Sequence, residues 1–322
     1  VLARLLEPAD FGVIAVLYIF TGVASTLVDG GLSTALIQSQ QTTSEDESTA
    51  FWINVVSGFL VALLFIAFSA RIANAFDLPQ LSGLTVLMGL SVFAASFGVV
   101  QMALLTKRLD FRRQLLAGVA AAVVSGGSSI ACAANGFGVW SLAVQVLSMS
   151  TSYSLFLWLL GSWRPRALFS VHSATKLFRF SGFVLAANLM DMIYTRAYTL
   201  LIGRYIGIAE LGFYDRAEQT KQLPANFISA VLGRVILPLF SEVSRDTRKL
   251  RDGMRLSIRG LMLMNLPLML LLAATAEPFI LTLFGAKWAQ TVAPFRILCL
   301  AAALWPLHVV NVNAFLAQGQ SR

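Results

Sequence analysis

Long apolar stretches separated by short polar segments dominate the chain. Each stretch has roughly 18 or more residues with few charges, the length that a helix needs to cross the hydrocarbon core of a bilayer. Nine spans are predicted, at about residues 11–37, 50–70, 83–105, 115–135, 139–160, 182–203, 213–240, 261–284 and 293–317. The pattern therefore predicts an all-α polytopic membrane protein, in which the seventh span is the least apolar.

The chain also contains a second, diverged copy of itself. Ala9-Asp10-Phe11-Gly12 recurs as Ala209-Glu210-Leu211-Gly212, and both copies open a long apolar segment. Internal repeats are the usual build of secondary transporters, which bind substrate near the midplane where the repeats meet. We therefore expect a transporter with two helix bundles, residues 1–160 and 182–322, joined by a cytoplasmic linker at 161–181.

Composition excludes a soluble protein, because 57% of the residues are apolar and only 12% are charged. The net charge of +8 is divided among short loops, which argues against nucleic-acid binding. With two histidines, no His-Glu-x-x-His and no phosphate-binding glycine loop ending in Lys-Ser/Thr, the sequence offers neither a metal site nor an ATP site. We expect a protein that is not an enzyme and needs no cofactor.

Lys and Arg collect on one side of the predicted spans, in the segments 107–113, 164–179 and 245–259. Because cytoplasmic loops carry the excess of these residues, the first residue is predicted to lie outside and Arg322 in the cytoplasm. One cytoplasmic loop, 38–49, departs from this rule and carries Glu45-Asp46-Glu47 instead.

The chain starts with Val1, and its first six residues read like the end of a span. The first half then has five spans and the second has four. If the halves match, two spans follow Arg322. We therefore expect a fragment of a protein with at least twelve spans.

Three segments carry a resemblance to a known family. These are Ala3 to Gly12 after the first span end, Lys107-Arg108-Leu109-Asp110-Phe111-Arg112-Arg113 in a cytoplasmic loop, and Ala317 to Arg322 closing the ninth span. They resemble polysaccharide exporters of the O-antigen flippase type, within the superfamily of multidrug, oligosaccharidyl-lipid and polysaccharide exporters.

That resemblance implies two six-helix bundles that form a V, with a central cavity opening alternately to cytoplasm and periplasm. It further implies a bacterial inner-membrane location and an undecaprenyl-pyrophosphate-linked oligosaccharide as cargo. Polysaccharide polymerase and other glycan-assembly proteins are the partners to expect besides the lipid bilayer.

Intramembrane charges are the candidates for the transport pathway, since they are costly and usually face a cavity or a partner. In the sixth span these are Asn188, Asp191 and Arg196. A guanidinium binds phosphate oxygens in two-pronged fashion, so Arg196 is the first candidate for a phosphate contact. The alternative is an internal ion pair with Asp191 or with a neighbouring helix.

The seventh span carries a polar stripe at helical spacing, and a stripe that long should not face lipid. Its members are Asp215, Gln219, Gln222, Asn226, Ser229 and Gly233, with Arg216 and Arg234 on one flank. The alternative is that Arg216, Glu218 and Lys221 lie at the interface, before the membrane proper begins.

Carboxylates within spans could couple transport to an ion. Asp29, Asp191 and Asp215 are the candidates, although Asp29-Gly30-Gly31 could simply be a break in the first span. The ninth span adds Arg296, His308 and Asn311 as further cavity candidates, or as an interhelical hydrogen-bond cluster.

Three other functions are alternatives. A multidrug or small-cation antiporter of the same superfamily would use the Asp residues, whereas the excess of cavity cations favours an anionic lipid cargo. A non-transporting scaffold of a glycan-assembly complex, or a membrane enzyme, is the alternative from another class.

Overall fold

The computed structural model describes residues 1–39, 42–233 and 247–317; for Phe180, 225–233, 247–250 and 312–317 it describes the backbone only. The described residues form helices and connecting turns, without strands. Two compact units divide the chain at Leu211 and Gly212. The predicted linker at 161–181 lies inside the first of these units. The division of the chain into two membrane bundles at that linker remains a prediction.

Helices of the first unit match the first six predicted spans. They are α1 (Leu2–Leu5), α2 (Pro8–Asp29), α3 (Leu32–Gln38), α4 (Ser44–Ala75), α5 (Leu81–Lys107), α6 (Phe111–Ala134), α7 (Trp140–Leu160) and α8 (Val171–Leu201), which a π-helical turn at Ile202–Ile206 follows. The helix bends by 51° between Arg179 and Ser181.

The first predicted span is broken as one of its two interpretations proposed. Helix α2 ends at Asp29, and α3 begins at Leu32 after Gly30 (φ 58°) and Gly31 (φ 74°). Both glycines occupy the left-handed region, which other residues rarely adopt. The chain can therefore turn inside a span without a side-chain clash.

Helix starts in this unit explain the acidic loop. Thr43 and Asp46 form a reciprocal capping box at the first turn of α4. Glu45, Asp46 and Glu47 thus lie at the positive end of a 32-residue helix, where carboxylates are stabilised by the helix dipole. The acidic segment is a helix start and does not conflict with a cytoplasmic location.

Helix α2 is the most buried of the described spans and packs against α5, α8 and α4. Close contacts elsewhere use small residues, as is usual between membrane helices. A Cβ on Gly58 of α4 would lie 2.8 Å from Ser96 of α5, and one on Gly98 of α5 would lie 2.8 Å from Oγ of Ser154 in α7. At these two glycines α4 approaches α5 closely, and α5 approaches α7 closely.

The second unit starts within α9 and contains shorter helices. They are α9 (Ile208–Gly233), α10 (Thr247–Ala274), α11 (Ala276–Phe284) and, after a 3₁₀ turn at Ala286–Thr291, α12 (Val292–Ala302) and α13 (Trp305–Ala317). In the described residues seven helical segments can span a membrane by length and apolarity, and α8 with its bend makes eight. The predicted span 213–240 coincides with α9 up to Gly233, and its remainder lies outside the described residues.

A buried asparagine donates hydrogen bonds to the backbone at the break between α12 and α13. Nδ2 of Asn265, on α10, donates to the carbonyl oxygens of Ala302 (2.9 Å) and Ala303 (3.0 Å). These carbonyls lie where the ninth predicted span loses its helical hydrogen bonds. Asn265 is 2% exposed, so it replaces helix bonds where water is absent.

Candidate functional site

A cleft in the first unit contains the residue first predicted to contact phosphate. Helices α2, α4 and α8 surround about 590 Å³, and among the described residues of the lining Arg196 of α8 is the only charged one. The other walls are hydrocarbon, from residues such as Phe20, Leu27, Leu64 and Met192. The cleft therefore combines one cation with an otherwise apolar surface.

Within the described part of the chain, no carboxylate oxygen lies within 4.0 Å of the Arg196 guanidinium. Arg196 is five positions after Asp191, which places the two side chains about 140° apart around a helix. Asp191 and Asn188 are exposed on α8 and do not line this cleft. The structure thus brings Arg196 to the cleft and leaves the other two candidates of this span outside it.

Asp29 lies beside a second cavity of the same unit, of about 400 Å³, between α2, α3, α5 and α7. Its Oδ1 accepts hydrogen bonds from the backbone N–H (3.2 Å) and the hydroxyl of Ser33. Tyr153, Met102 and Met149 are among the lining residues, and Asp29 is the only charged one in the part of the chain that the structure describes. The cavity thus surrounds one carboxylate with aromatic, thioether and hydroxyl groups.

In the second unit, the polar stripe of α9 forms hydrogen bonds within its own helix. Asp215 is 5% exposed and accepts a bond from Nε2 of Gln219 at 2.5 Å. Glu218 accepts from Lys221 (2.7 Å) and from Gln222 (2.9 Å). Glu218 and Lys221 are both largely buried, so this ion pair is not a freely solvated surface pair.

Arg216 packs on aromatic rings. Its guanidinium carbon lies 5.6 Å from the ring centres of both Phe284 and Trp288, a cation–π arrangement. Trp288 is fully buried and also meets Phe213 edge-on. The geometry gives Arg216 a packing role in this unit. Its role in a cavity remains a prediction, and the side chains of Asn226 and Arg234 lie outside the described residues.

The three candidates of the ninth span have different surroundings. Nε of Arg296 donates to the carbonyl oxygen of Ala273 (3.2 Å) at the end of α10, which favours a helix-capping role. His308 lies against Trp305, with ring centres 5.2 Å apart, and both are at the start of α13. Asn311 is exposed on the same helix.

Sequence reasoning missed an ion pair at the start of α8. Nζ of Lys176 lies 3.0 Å from Oδ2 of Asp46, whose side chain is 4% exposed. Asp46 precedes the charge-free stretch of α4. Burial raises the pKa of its carboxyl, but hydrogen bonds from Ser173, Lys176 and Thr43 outweigh burial and lower the pKa below its ordinary value.

The linker before α8 is tied to the same helix start. Ser48 accepts a hydrogen bond from the backbone N–H of Arg166 (3.1 Å), and Thr49 accepts one from Ser170 (3.1 Å). Nε1 of Trp52 donates to the Arg166 carbonyl oxygen at 3.0 Å. Together with the Lys176–Asp46 pair, these contacts fix the first turns of α8 on α4.

The structure adds no metal site to this inventory. In residues 1–39, 42–233 and 247–317, no three His, Cys, Asp or Glu side chains gather closely enough to hold an ion. Cys132 and Cys299 are free thiols. Charge in the cavities of the first unit is supplied by Arg196, by Asp29 and, in a third cavity of about 280 Å³, by the Asp46–Lys176 pair.

Comparison with known proteins identifies the family. A family model described as polysaccharide biosynthesis protein matches residues 1–293. The succinoglycan biosynthesis transport protein ExoT of Rhizobium meliloti is 28% identical over 94% of this chain and 62% of its own length. The lipopolysaccharide biosynthesis protein WzxC of Escherichia coli is 26% identical, with the same coverage of both chains. The chain thus spans just under two thirds of the length of these relatives.

Two solved structures share the fold. The lipid II flippase MurJ in an inward closed conformation superposes with a TM-score of 0.73 at 13% identity, over 98% of this chain and 75% of MurJ. An inward-facing multidrug resistance MATE family transporter of the MOP superfamily gives 0.72 at 16% identity, over 99% and 79%. At these identities the likeness establishes the fold alone.

Both the predicted fold class and the predicted family resemblance are confirmed. The chain belongs to the polysaccharide biosynthesis protein family, and it is a multi-pass inner-membrane protein with the fold of the multidrug/oligosaccharidyl-lipid/polysaccharide exporters.

Proposed function

We propose that the full-length protein moves an undecaprenyl-pyrophosphate-linked oligosaccharide across the inner membrane by alternating access, without catalysing a reaction on it. Its relatives are named for succinoglycan transport and for teichuronic acid and lipopolysaccharide biosynthesis, which are all glycan processes. We infer a lipid-linked glycan as the cargo, because these names concern glycans and a structural neighbour is named as a lipid II flippase.

The observation that carries the proposal is the position of Arg196. We place the membrane-crossing part of α8 between its bend at Ser181 and Ile206, because this segment, together with the turns before the bend, is long and apolar enough to span a membrane. Arg196 therefore lies roughly 22 Å along the axis from the bend and roughly 15 Å from the other end. A charge at that depth costs several kcal/mol unless it is compensated. An anionic diphosphate in transit would compensate it and would bind the guanidinium through paired hydrogen bonds.

The test is complementation in cells depleted of the full-length protein, with lipid-linked oligosaccharide measured on the cytoplasmic leaflet. Wild type should clear the accumulated lipid, whereas Arg196→Ala should not. Arg196→Lys should clear it partly, because lysine keeps the positive charge but cannot form the paired hydrogen bonds of a guanidinium. Arg71→Ala serves as the control, since it removes one positive charge from an exposed arginine that packs on Phe68. If depletion leaves the cytoplasmic pool unchanged, this cargo is wrong.

We further propose that Asp29 couples transport to a proton or sodium ion. Its cavity, separate from the Arg196 cleft, supports this role, and Ser33 fixes one carboxylate oxygen. Asp29→Asn keeps the shape and the hydrogen bonds but cannot ionise. Transport by this variant should no longer respond when the ion gradient is collapsed, while wild-type transport should slow. A wild-type response in the variant would remove Asp29 from the coupling.

The same cavity favours one second function, export of a small organic cation. A lone carboxylate among Tyr153, Met102 and Met149 is the kind of setting in which cations bind through charge and aromatic contact. Cells lacking the protein would then become sensitive to cationic compounds, with unchanged lipid-linked glycan. That pair of results would favour the exporter over the flippase.

A further inference from the structure

The Arg196 cleft has a larger apolar lining than the binding of a diphosphate alone requires. Its volume of about 590 Å³ falls in the range of ligand pockets, roughly 300–1,000 Å³. All of its lining except Arg196 is apolar, and three helices contribute to it. Leu27, Leu64, Ile193 and Leu201 are between 47% and 62% exposed, so they present hydrocarbon surface to whatever occupies the cleft.

We propose that this cleft binds the polyprenyl chain of the lipid-linked substrate, with its first isoprene units against the apolar walls and its phosphate against Arg196. The inference rests on the proposed function and adds a site for the lipid part of the cargo. One cation at the edge of a hydrocarbon surface complements an amphiphile with an anionic head.

Phospholipids of the bilayer also have an anionic head and apolar chains. The depth of Arg196 in the membrane distinguishes them from the transported lipid. Their headgroups stay at the interface, whereas Arg196 lies roughly 15 Å along the helix axis from Ile206, where the π-helical turn that continues α8 ends, which is more than a snorkelling side chain spans. A phosphate that reaches Arg196 therefore belongs to a lipid whose head is crossing the membrane. This argument commits the cleft to the transported lipid.

Hydrophobicity alone cannot hold a chain there, because lipid tails outside are as apolar as the cleft walls. Retention must come from close packing and from the Arg196–phosphate contact. Met192, an unbranched side chain that adapts to irregular shapes, lines the cleft between Arg196 and α2. The cleft should accordingly prefer a branched polyprenyl phosphate over straight-chain anionic lipids.

Site-specific photolabelling tests this preference. The full-length protein, with a photoreactive benzoyl-phenylalanine in place of Leu64, is placed in vesicles of phosphatidylethanolamine with either undecaprenyl phosphate or phosphatidylglycerol. The control carries the same group in place of Leu63, which neighbours Leu64 on α4 and does not line the cleft. We expect undecaprenyl phosphate to label position 64 over position 63 and over phosphatidylglycerol by roughly tenfold, and Arg196→Ala to abolish the difference.

Equal labelling at both positions would show contact with bulk lipid and overturn the proposal. Equal labelling of position 64 by both lipids would show a non-selective site and overturn it too. A second variant pair fills the cleft: Ala197→Trp should block transport, and Ala187→Trp, outside the cleft on the same helix, should not. Normal transport by well-expressed Ala197→Trp would contradict the site while leaving the flippase proposal intact. An unchanged lipid pool on depletion would instead contradict the flippase.

Discussion

The start of α9 approaches α2 so closely that only glycine fits between them. A Cβ added to Gly12 would lie 1.8 Å from the carbonyl oxygen of Ile208 and 2.8 Å from its carbonyl carbon. The obstacle is backbone, so it cannot move aside as a flexible side chain can. Leu211, one turn further along α9, packs in the same region against Ala15 and Val16. Replacing Gly12 by Ala must therefore separate the two helices.

The size of the effect follows from this distance. Carbon–oxygen contacts of the Cβ atom become ordinary near 3.4 Å, so the helices must separate by roughly 1.5 Å, more than an interior that packs like a crystal absorbs. Overpacking of this kind costs about 1–3 kcal/mol. The loss should exceed any gain from placing alanine in a helix, which is about 0.5–1 kcal/mol. We expect Gly12→Ala to lower the stability of the folded protein by about 1–2 kcal/mol.

The assay is the unfolding midpoint of the purified protein in detergent, compared with Gly127→Ala. Gly127 lies within α6, and a Cβ there would meet no atom within 4 Å. The control variant should match or exceed the wild type, because alanine favours the helix and nothing obstructs it. If Gly12→Ala is as stable as Gly127→Ala, the close approach of α9 to α2 is wrong.

Two further predictions concern contacts that bridge distant segments. Asn265→Leu should destabilise the protein by about 1–3 kcal/mol, because it leaves the carbonyl oxygens of Ala302 and Ala303 without their donor. The control, Asn188→Leu on the exposed face of α8, should have little effect. Equal unfolding midpoints of the two variants would contradict this role of Asn265. The lowered pKa of Asp46 means that its carboxylate stabilises the fold above the ordinary value of 3.8 and that this contribution is lost as the pH falls through the lower folded value. Lys176→Gln should lower the free energy of unfolding by at most about 1 kcal/mol, because Lys176 is half exposed. The variant should also lose less stability than the wild type when the pH is lowered in unfolding experiments. An unchanged dependence of stability on pH would argue against the ion pair.

The existence of the spans could be predicted from the sequence because length and apolarity decide it. A membrane helix satisfies its own backbone, so no knowledge of neighbours is needed. Where a span breaks was harder to predict. Gly30 and Gly31 gave a local signal, whereas the break after Ala302 depends on Asn265, which is 37 residues earlier. A single Asn in an apolar run does not reveal which carbonyls it satisfies.

The candidate site divides in the same way. Arg196 and Asp29 were predictable as costly intramembrane charges, and the structure places each beside a cavity. The stripe of α9 was predicted as one polar face, and Gln219 does bond to Asp215 within it, but Gln222 bonds to Glu218, which was not among the candidates. Asp46 and Lys176 are 130 residues apart, and neither spacing nor composition connects them.

Helix α2 contacts both cavities of the first unit, and this suggests how an ion site could act on a lipid site. Its residues from Ile19 to Leu27 form a wall of the Arg196 cleft, and Asp29 at its end borders the other cavity. The break that follows touches α8, since a Cβ on Gly31 would lie 2.8 Å from the carbonyl oxygen of Ser181. A change of charge at Asp29 that moved this break would shift the helix that carries Arg196. Coupling between binding sites is reciprocal, so lipid labelling in the cleft should then change with the ion gradient in wild type and not in Asp29→Asn. Labelling that follows the gradient equally in both proteins would place the coupling elsewhere.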